Sequence, residues 1–313
     1  MSTWKILIAD GLNENGQSLL RLAAQVDDCT GISADELLKE IGDYDALVVR
    51  SRTRVTEAVF KAAGRLKVVG RAGVGVDNID LAAATRHGVS VVNAPLSTTL
   101  AVAEQTLALM LALARQVPRA DAAMKSGQWI KKDLEGVELY GKVLGVVGLG
   151  HIGSEVARRA AAMGMRVLGY DALLPEEVIR QRGAEPVSLQ ELYARADFIS
   201  LHVPLTPETR GMVNGQSLSA MKRGVRLVCT ARGGIIDETD LLGALETGQV
   251  AGAALDVFSK EPPGLTALVA HPNVVATPHV SAQTAEAQSR AAEDIANEVL
   301  AALRGETLRW KVV

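Results

Sequence analysis

The chain has 313 residues, of which 48% are hydrophobic, 3% aromatic and 22% charged, and its formal net charge at pH 7 is -3. We expect two domains, because single cores rarely grow far beyond about 250 residues. The near balance of acidic and basic residues, with no basic stripe along the sequence, argues against a nucleic-acid partner.

Cysteine usage and the N-terminus bear on location. Cys29 and Cys229 are far apart in sequence and predict no disulfide framework, so we expect a reducing compartment, the cytoplasm. The N-terminus, MSTWKILIAD, has no secretory-signal pattern. The most apolar helical stretch, Thr99 to Val117, is interrupted by Glu104 and Arg115 and falls short of the roughly 20 apolar residues of a membrane span. We therefore expect no membrane partner.

Short apolar runs alternate with helical patterns along the chain. Four runs precede a long helix that begins near Thr99: KILIAD, ALVVR, KVVGRAG and SVVNAP. Six follow it: KVLGVVGLG, RVLGYD, FISLHVP, VRLVCTAR, VAGAALDVF and NVVATPH. This alternation predicts an α/β fold with parallel sheets and helical crossovers, arranged as two doubly wound domains. A last helical pattern, from about Thr284 to Leu303, could pack on either domain.

A glycine motif opens the second set of runs. Gly148, Gly150 and Gly153 have G-x-G-x-x-G spacing between a hydrophobic strand and a helix. The first glycine permits the tight turn, the second lets the backbone approach a pyrophosphate, and the third allows close packing of helix on strand. The pyrophosphate is then expected at the helix N-terminus, near His151 and Ile152. The motif predicts a dinucleotide cofactor.

Asp171 ends the strand after this helix, 18 positions beyond Gly153. Its carboxylate can accept hydrogen bonds from the adenosine ribose, and it would repel a 2′-phosphate. The next residues, Ala172 to Pro175, include no arginine. NAD is therefore predicted rather than NADP.

Polar residues follow three later strands. They are Arg232 in CTARGGIIDE, Asp256 and Glu261 in ALDVFSKEPP, and His279 in VVATPHVSAQT. Ligands of open parallel sheets bind beyond the carboxyl ends of the strands, where these side chains would cluster. An arginine can bind a carboxylate, and a histidine paired with a carboxylate can exchange a proton with an alcohol or a carbonyl. The set predicts hydride transfer on a small anionic 2-hydroxy or 2-oxo acid.

With these motifs in place, the sequence resembles the D-isomer-specific 2-hydroxyacid dehydrogenases, most closely the members that act on 3-phosphoglycerate. The matching stretches are VVRSRTRVT, VVGRAGVGVDNIDL, GLGHIG, TARGGIID, AGAALDVFSKEPP and TPHVSAQTAEAQSRAAEDIA. The resemblance implies a Rossmann NAD-binding domain at 98–284 and a smaller flavodoxin-like substrate domain from 1–97 and 285–313, with a cleft between them. It also implies a homodimer or homotetramer. Because the chain stops at Val313, we expect no C-terminal regulatory domain.

The resemblance implies roles for the polar residues. Arg232 would bind the substrate carboxylate, His279 would be the acid-base group with Glu261 as its partner, and Asp256 would hold the nicotinamide amide. The remaining cofactor contacts would come from the backbone around Val203, Thr230, Ala231, Ser281 and Ala282.

Further roles are implied for the N-terminal domain and for the dimer. The loop at Val74 and Gly75 would offer backbone N–H groups to the substrate carboxylate. Arg50 would face its phosphorylated end, with Arg52, Arg54 and Arg71 as further candidates. An arm from Met124 to Tyr140, which includes Trp129, would provide dimer contacts.

The sequence departs from the family pattern near the expected site. Thr98 stands where members acting on phosphoglycerate commonly carry Asn, and Cys229 replaces an Asn before the A-R-G-G run. Ser281 and Gln283 replace Gly and Ser after the histidine. The first departure bears on the substrate more than on the reaction.

The expected function is NAD-dependent oxidation of 3-phosphoglycerate to 3-phosphohydroxypyruvate, the entry to serine synthesis. A reductase of glyoxylate, hydroxypyruvate or another D-2-hydroxyacid would share the catalytic residues and differ mainly in the N-terminal pocket. A third alternative, of another class, is an NAD-sensing binding protein resembling the transcriptional corepressors of this fold. We predict no metal site.

Overall fold

The computed structural model of the protein describes residues 4–313, which fall into two compact units. Unit 1 comprises residues up to Thr99 together with Ala282–Val313, and unit 2 comprises Leu100–Ser281. The sequence placed these divisions at 97/98 and 284/285. Ser281 therefore lies in unit 2, and Ala282, which we predicted beside it in the cofactor domain, lies in unit 1.

Unit 1 is built on a five-stranded parallel sheet with the order β2-β1-β3-β4-β5. The strands are β1 (Trp4–Ile8), β2 (Ala24–Asp28), β3 (Ala46–Val49), β4 (Val68–Arg71) and β5 (Ser90–Asn93). The helices between them are α1 (Glu14–Arg21), α2 (Ala34–Glu40), α3 (Glu57–Ala62) and α4 (Leu81–Arg86), with a short 3-10 turn at Ile41–Asp43. This is the flavodoxin-like strand order, as predicted.

Unit 2 is built on a seven-stranded parallel sheet with the order β12-β11-β10-β9-β6-β7-β8. The strands are β6 (Val143–Val147), β7 (Arg166–Tyr170), β8 (Glu185–Pro186), β9 (Phe198–Leu201), β10 (Val225–Cys229), β11 (Val250–Leu255) and β12 (Val274–Ala276). The order reverses between β6 and β9, as in a Rossmann sheet, where ligands bind beyond the carboxyl ends of the strands.

Helices cover both faces of this second sheet. They are α5 (Thr99–Ala114), α6 (Val117–Lys125), α7 (His151–Ala162), α8 (Glu176–Gln181), α9 (Leu189–Arg195), α10 (Gly215–Ala220), α11 (Glu238–Glu246) and α12 (Ala267–Ala270), with a 3-10 turn at Lys131–Asp133. Because both faces are covered, the central strands are buried along almost their whole length. This is why they read as continuous apolar runs.

The final helix, α13 (Ala285–Arg304), packs in unit 1 against α1, β4 and β5. Its inner face carries Ile295 and Val299, which are fully buried in the same apolar cluster as Ile6 and Val68. The sequence did not show which domain this helix joins. Its packing on the sheet of unit 1 assigns it to that unit. After α13 the chain returns to β5, where Lys311 pairs with Val92 in an antiparallel bridge.

Two differences from the sequence reading have clear causes. Strands β2 and β8 were missed because neither is a continuous apolar run: β2 has the polar sequence AQVDD and β8 has only two residues. The long helix was expected to reach Val117 but ends at Ala114, and Gln116 has a φ of +52° before α6 begins. Pro118 follows at once, and a proline inside a continuous helix would remove a hydrogen bond and clash with the preceding turn.

Within residues 4–313, no single helix is long and apolar enough to cross a membrane. The helices α5 and α6 together, bent by 65° at their junction, reach that length and composition.

Candidate active site

The glycine-rich turn joins β6 to α7. Gly148 has a φ of +89°, and a Cβ at this position would lie 2.7 Å from the carbonyl oxygen of His202. A Cβ at Gly153 would lie 2.0 Å from the carbonyl oxygen of Gly148. The two glycines therefore let α7 pack directly against the strand end, as the motif predicted.

The N-terminus of α7 fits an anion. Gly150 is its N-cap residue and makes no side-chain cap, so the first N–H groups, including those of His151 and Ile152, have no partner within the helix. A Cβ built on Gly150 would meet no protein atom within 4 Å. This uncapped helix end, with open space at Gly150, fits the pyrophosphate of a dinucleotide.

Asp171, directly after β7, lies beside the same turn. Its Oδ2 accepts a hydrogen bond from the N–H of Leu149 at 2.8 Å, and its Oδ1 accepts from the N–H groups of Leu173 and Leu174 at 2.9 and 3.2 Å. A carboxylate offers about four acceptor positions. One position on Oδ2 therefore remains for a ribose hydroxyl, which fits the predicted role.

Arg182, which was not predicted from the sequence, also binds the backbone of the glycine turn. Its guanidinium donates a hydrogen bond to the carbonyl of Leu149, the residue whose N–H binds Asp171. The carboxylate and the guanidinium together fix both backbone groups of Leu149.

The end of β9 completes this side of the cofactor site. A Cβ on Gly148 would lie 3.0 Å from Cγ1 of Val203, so this predicted residue lies against the glycine turn. The adjacent His202, not singled out from the sequence, has its Nε2 2.7 Å from Oγ of the buried Ser200. Burial lowers the pKa of His202 to about 4, so the imidazole is neutral at pH 7.

Arg232 lies in the turn after β10, and this turn is packed backbone to backbone against the segment that follows β11. A Cβ at Gly233 would lie 1.9 Å from the carbonyl oxygen of Phe258. The N–H of Phe258 in turn donates to Oε1 of Glu261 at 3.0 Å. The fold thus brings the arginine turn and the glutamate segment together, as their positions at adjacent strand ends predicted.

His279 and Glu261 form a hydrogen-bonded pair. Nδ1 of His279 lies 2.8 Å from Oε2 of Glu261, and 47% of the histidine side chain is exposed, which leaves it accessible to a ligand. His279 also has a φ of +54°, an uncommon conformation for a residue with a side chain. Backbone conformations of this kind concentrate at functional sites.

Asp256 binds the loop of residues 277–281, which carries His279. Its Oδ1 accepts from Oγ1 of Thr277 and from the N–H of Val280, and its Oδ2 accepts from the N–H and the hydroxyl of Ser281. The residue is fully buried and its acceptor positions are used. Its carboxylate therefore fixes the loop that carries His279, and the expected contact of Asp256 with the nicotinamide amide stays a prediction.

Thr230 and Ala231 connect β10 to Arg232. Nη1 of Arg232 donates to the carbonyl of Ala231 at 2.7 Å. The hydroxyl of Thr230 lies 2.8 Å from that of Thr106 in α5, and Thr106 also donates to the carbonyl of Val102. Because the single proton of Thr106 goes to that carbonyl, Thr230 is the donor of the pair. Thr106 was missed because nothing in the sequence pairs a mid-helix threonine with a strand end.

The predicted substrate residues of unit 1 follow β3 and β4. Arg50 is half-buried and its Nη2 lies 3.3 Å from Oε1 of Gln283. Val74 and Gly75 are half-buried, and the carbonyl of Val74 accepts from Nδ2 of Asn93 at 2.7 Å.

The further candidate arginines for the phosphate have different surroundings. Arg52 donates to Oδ1 of Asp10 at 3.1 Å and to the carbonyls of Ile32 and Ala9 at 3.1 and 2.7 Å. These contacts assign Arg52 to the loop structure. Arg54 is exposed, and the Arg71 guanidinium folds back over Gly73.

Comparison with known proteins identifies the family. Residues 107–281 match the sequence profile described as D-isomer specific 2-hydroxyacid dehydrogenase, NAD binding domain. The chain belongs to this family. NAD is the cofactor, in agreement with the glycine turn and Asp171.

Named relatives align with nearly the whole chain. A D-3-phosphoglycerate dehydrogenase of Methanocaldococcus jannaschii is 50% identical over 303 residues, which are 96% of this chain and 58% of that protein. The chain thus spans less than three-fifths of the length of this relative.

Solved structures of other family members share the fold. A glyoxylate reductase from Paecilomyes thermophila superposes with a TM-score of 0.90 at 31% identity, covering 100% of this chain and 99% of that one. The D-lactate dehydrogenase of Aquifex aeolicus, solved with NAD and lactic acid, superposes with a TM-score of 0.83 at 31% identity over 96% of both chains.

Proposed function

We propose that this protein oxidises 3-phosphoglycerate to 3-phosphohydroxypyruvate with NAD, as a step of serine synthesis. The hydrogen-bonded pair of His279 and Glu261, in the unit that carries the NAD motif, is the observation on which the reaction type depends. The 50% identity to a D-3-phosphoglycerate dehydrogenase supports the choice of substrate.

His279 is the acid-base group of the proposed reaction. Glu261 only accepts hydrogen bonds when ionised, so Nδ1 of His279 carries the proton in this pair. In the neutral ring, Nε2 then has a free lone pair that can take the proton from the substrate hydroxyl. Glu261 stabilises the imidazolium that results, and the same proton returns to the oxygen in the reverse reaction.

Arg232 binds and orients the substrate carboxylate. Its planar guanidinium can form two parallel hydrogen bonds to a carboxylate, which fixes the orientation of the neighbouring carbon. The packing of Gly233 on the Phe258 carbonyl and the hydrogen bond between Thr230 and Thr106 hold the segment that carries Arg232 in place.

In the proposed oxidation the substrate loses one hydride and one proton. Bound NAD supplies the acceptor for the hydride that leaves the carbon bearing the hydroxyl. The hydroxyl proton goes to Nε2 of His279 while the carbon–oxygen single bond becomes a double bond, so the substrate loses two electrons and two hydrogens. Arg232 keeps the carboxylate in place throughout.

Arg50 is the proposed partner of the substrate phosphate. Its side chain lines a cavity of about 300 Å³ in unit 1, together with Gly11, Leu12, Asn13, Ala72 and Gln288. Arginine binds phosphate oxygens well because its donors form a rigid fork. The loop at Val74 and Gly75 is the proposed source of backbone N–H groups for the carboxylate.

NADH formation at alkaline pH tests the proposal. We expect purified protein to oxidise 3-phosphoglycerate at least tenfold more efficiently, as kcat/KM, than D-glycerate, D-lactate or glycolate. The Arg50→Ala variant should lose this preference and keep turnover of D-glycerate. Preferred turnover of an unphosphorylated acid, or of glyoxylate in the reverse direction, would replace the substrate and keep the chemistry. NADH binding without turnover of any acid would instead favour a sensing role.

Self-association in the cytoplasm is part of the same proposal. The segment from Met124 to Tyr140 carries side chains that are unusually exposed for their size: Met124 is 58%, Trp129 78% and Tyr140 77% exposed. Exposed apolar clusters commonly mark contact surfaces. Light scattering of wild type and of a Trp129→Ser variant tests whether this segment joins two or four copies.

A further inference from the structure

A buried carboxylate lies next to the loop that carries Arg50. Asp10 follows β1, and its side chain is 3% exposed. Its Oδ2 accepts hydrogen bonds from the backbone N–H groups of Arg50 and Thr53 at 2.8 and 3.0 Å. Its Oδ1 accepts from the hydroxyl of Thr53 and from Nε of Arg52. Each oxygen thus has two donors, and all four come from residues 50–53.

Asn78 binds the backbone carbonyl groups of the same two residues. Its Nδ2 donates to the carbonyl of Arg50 at 2.9 Å and to that of Thr53 at 2.6 Å. Asp10 and Asn78 together therefore satisfy the N–H and the C=O of both residues. The peptide groups of Arg50 and Thr53 therefore cannot rotate without the loss of at least one of these bonds.

This arrangement separates the roles of the two arginines. Arg52 neutralises the buried Asp10 and is held further by the carbonyls of Ala9 and Ile32. Arg50 gives only its backbone to the same carboxylate, and its side chain lines the cavity of about 300 Å³ in unit 1. The loop thus fixes the backbone of Arg50. The Arg50 side chain extends from this fixed position to a cavity that can hold an anion.

A fixed backbone position matters because an arginine side chain loses rotamer entropy when it is ordered. Displacing a binding group by about 1 Å can cost a hundredfold in efficiency. Backbone anchoring lowers the number of positions that the guanidinium samples, so more of its interaction with an anion is realised as binding.

We infer that Asp10 and Asn78 are positioning residues that set Arg50 for the anionic group of the substrate farthest from the reacting carbon. Neither residue touches the substrate in this role. The inference depends on the proposed function, because it assigns Arg50 to a phosphorylated substrate.

The test compares kcat/KM for 3-phosphoglycerate and D-glycerate, which differ only in the phosphate. The Asp10→Asn variant places an amide donor against N–H donors whichever way the amide is turned. We expect it to lower kcat/KM for 3-phosphoglycerate about tenfold or more through KM, and to leave D-glycerate within about twofold. Asn78→Ala should have the same selective effect on kcat/KM, and this variant provides an independent test if Asp10→Asn folds poorly.

Asp45→Asn is the matched control. Asp45 is also buried in unit 1, and it accepts a backbone N–H from Lys5 and a salt bridge from Arg65, but it precedes β3 whereas Arg50 follows it. We expect Asp45→Asn to lower stability without changing the ratio of the two efficiencies. In an Arg50→Ala background the effect of Asp10→Asn on the ratio should disappear.

The outcomes are distinguishable. If wild type shows no preference for the phosphorylated substrate, the proposed function is wrong and this inference falls with it. If wild type shows the preference but Asp10→Asn and Asn78→Ala lower both efficiencies equally, the two residues are structural only. A full effect of Asp10→Asn in the Arg50→Ala background would also overturn the positioning role.

Discussion

Nδ1 of His279 lies 2.8 Å from Oε2 of Glu261, and the other oxygen of that carboxylate accepts a hydrogen bond from the N–H of Phe258. The glutamate is therefore fixed by the backbone, and it fixes the ring in turn. The donor that fixes Glu261 is only three residues away in the chain, and 38% of the Glu261 side chain remains exposed.

The first prediction concerns this pair. His279→Ala should lower kcat by about 10²- to 10⁴-fold, the usual contribution of a general acid-base group. Glu261→Gln should have a smaller effect, because an amide can still accept from Nδ1 but does not stabilise the imidazolium. NADH affinity, measured by fluorescence, should stay unchanged in both. Retention of kcat within tenfold in His279→Ala would rule out this assignment.

The second prediction contrasts two glycines of one turn. In Gly153→Ala the new Cβ would lie 2.0 Å from a backbone oxygen, so the turn must move and stability should fall. In Gly150→Ala it would meet no protein atom, so the unfolding free energy should change by at most about 1 kcal/mol. NADH affinity should nevertheless fall at least tenfold in Gly150→Ala. Calorimetry with and without NADH separates the two effects, and unchanged NADH affinity in Gly150→Ala would place the pyrophosphate elsewhere.

The third prediction concerns the buried Asp256. Asp256→Asn replaces an acceptor by an NH₂ group that faces donors from residues 277–281, so stability should fall by about 1 to 3 kcal/mol. The kcat should fall as well, because the loop that carries His279 loses its support. Ser281→Ala removes only the hydroxyl bond and should have a smaller effect on both quantities. Urea unfolding and steady-state kinetics measure them, and an unchanged kcat in Asp256→Asn would contradict the supporting role.

The fourth prediction is a pH dependence of stability. Burial lowers the pKa of His202 from 6.5 to about 4. Between these values the unfolded chain binds more protons than the native chain, so the contribution is complete above pH 6.5 and is lost as the pH falls towards 4. It amounts to at most about 3 kcal/mol. His202→Asn should flatten this part of the stability curve measured by urea unfolding, and an equal slope in the variant would assign the effect to other groups.

The fifth prediction distinguishes the two thiols. Burial raises the pKa of Cys229 to about 11, and its Sγ lies 3.8 Å from the carbonyl of Arg232. At pH 8 only about one thiol in a thousand is then ionised, and access is blocked. Cys29 is half-buried, and its pKa is raised by burial and by nearby acids. A thiol reagent should modify Cys29 in the native protein and Cys229 only after unfolding. Modification of native Cys29→Ser would contradict this.

Most of the fold could be predicted from the sequence because its main signals are local. Continuous apolar runs mark buried strands, and ten of the twelve strands within residues 4–313 were recognised in this way. The two that were missed lack that signal, because β2 has the polar sequence AQVDD and β8 has only two residues. The glycine spacing and Asp171 were equally readable, since the geometry of a tight turn restricts which residues can form it.

The sequence by itself determined the fold class and the cofactor motif, and it predicted the proposed catalytic residues. Only the tertiary structure decided which polar residues support them: Asp10 and Asn78 at Arg50, Asp256 under His279, and Thr106 at Thr230. It also removed Arg52 from the candidate phosphate site by showing its bonds to Asp10 and two carbonyls. Thr106 and Thr230 are 124 positions apart. Such hydrogen bonds depend on the sheet order and on the path of the chain, because residue types alone do not say which donor meets which acceptor.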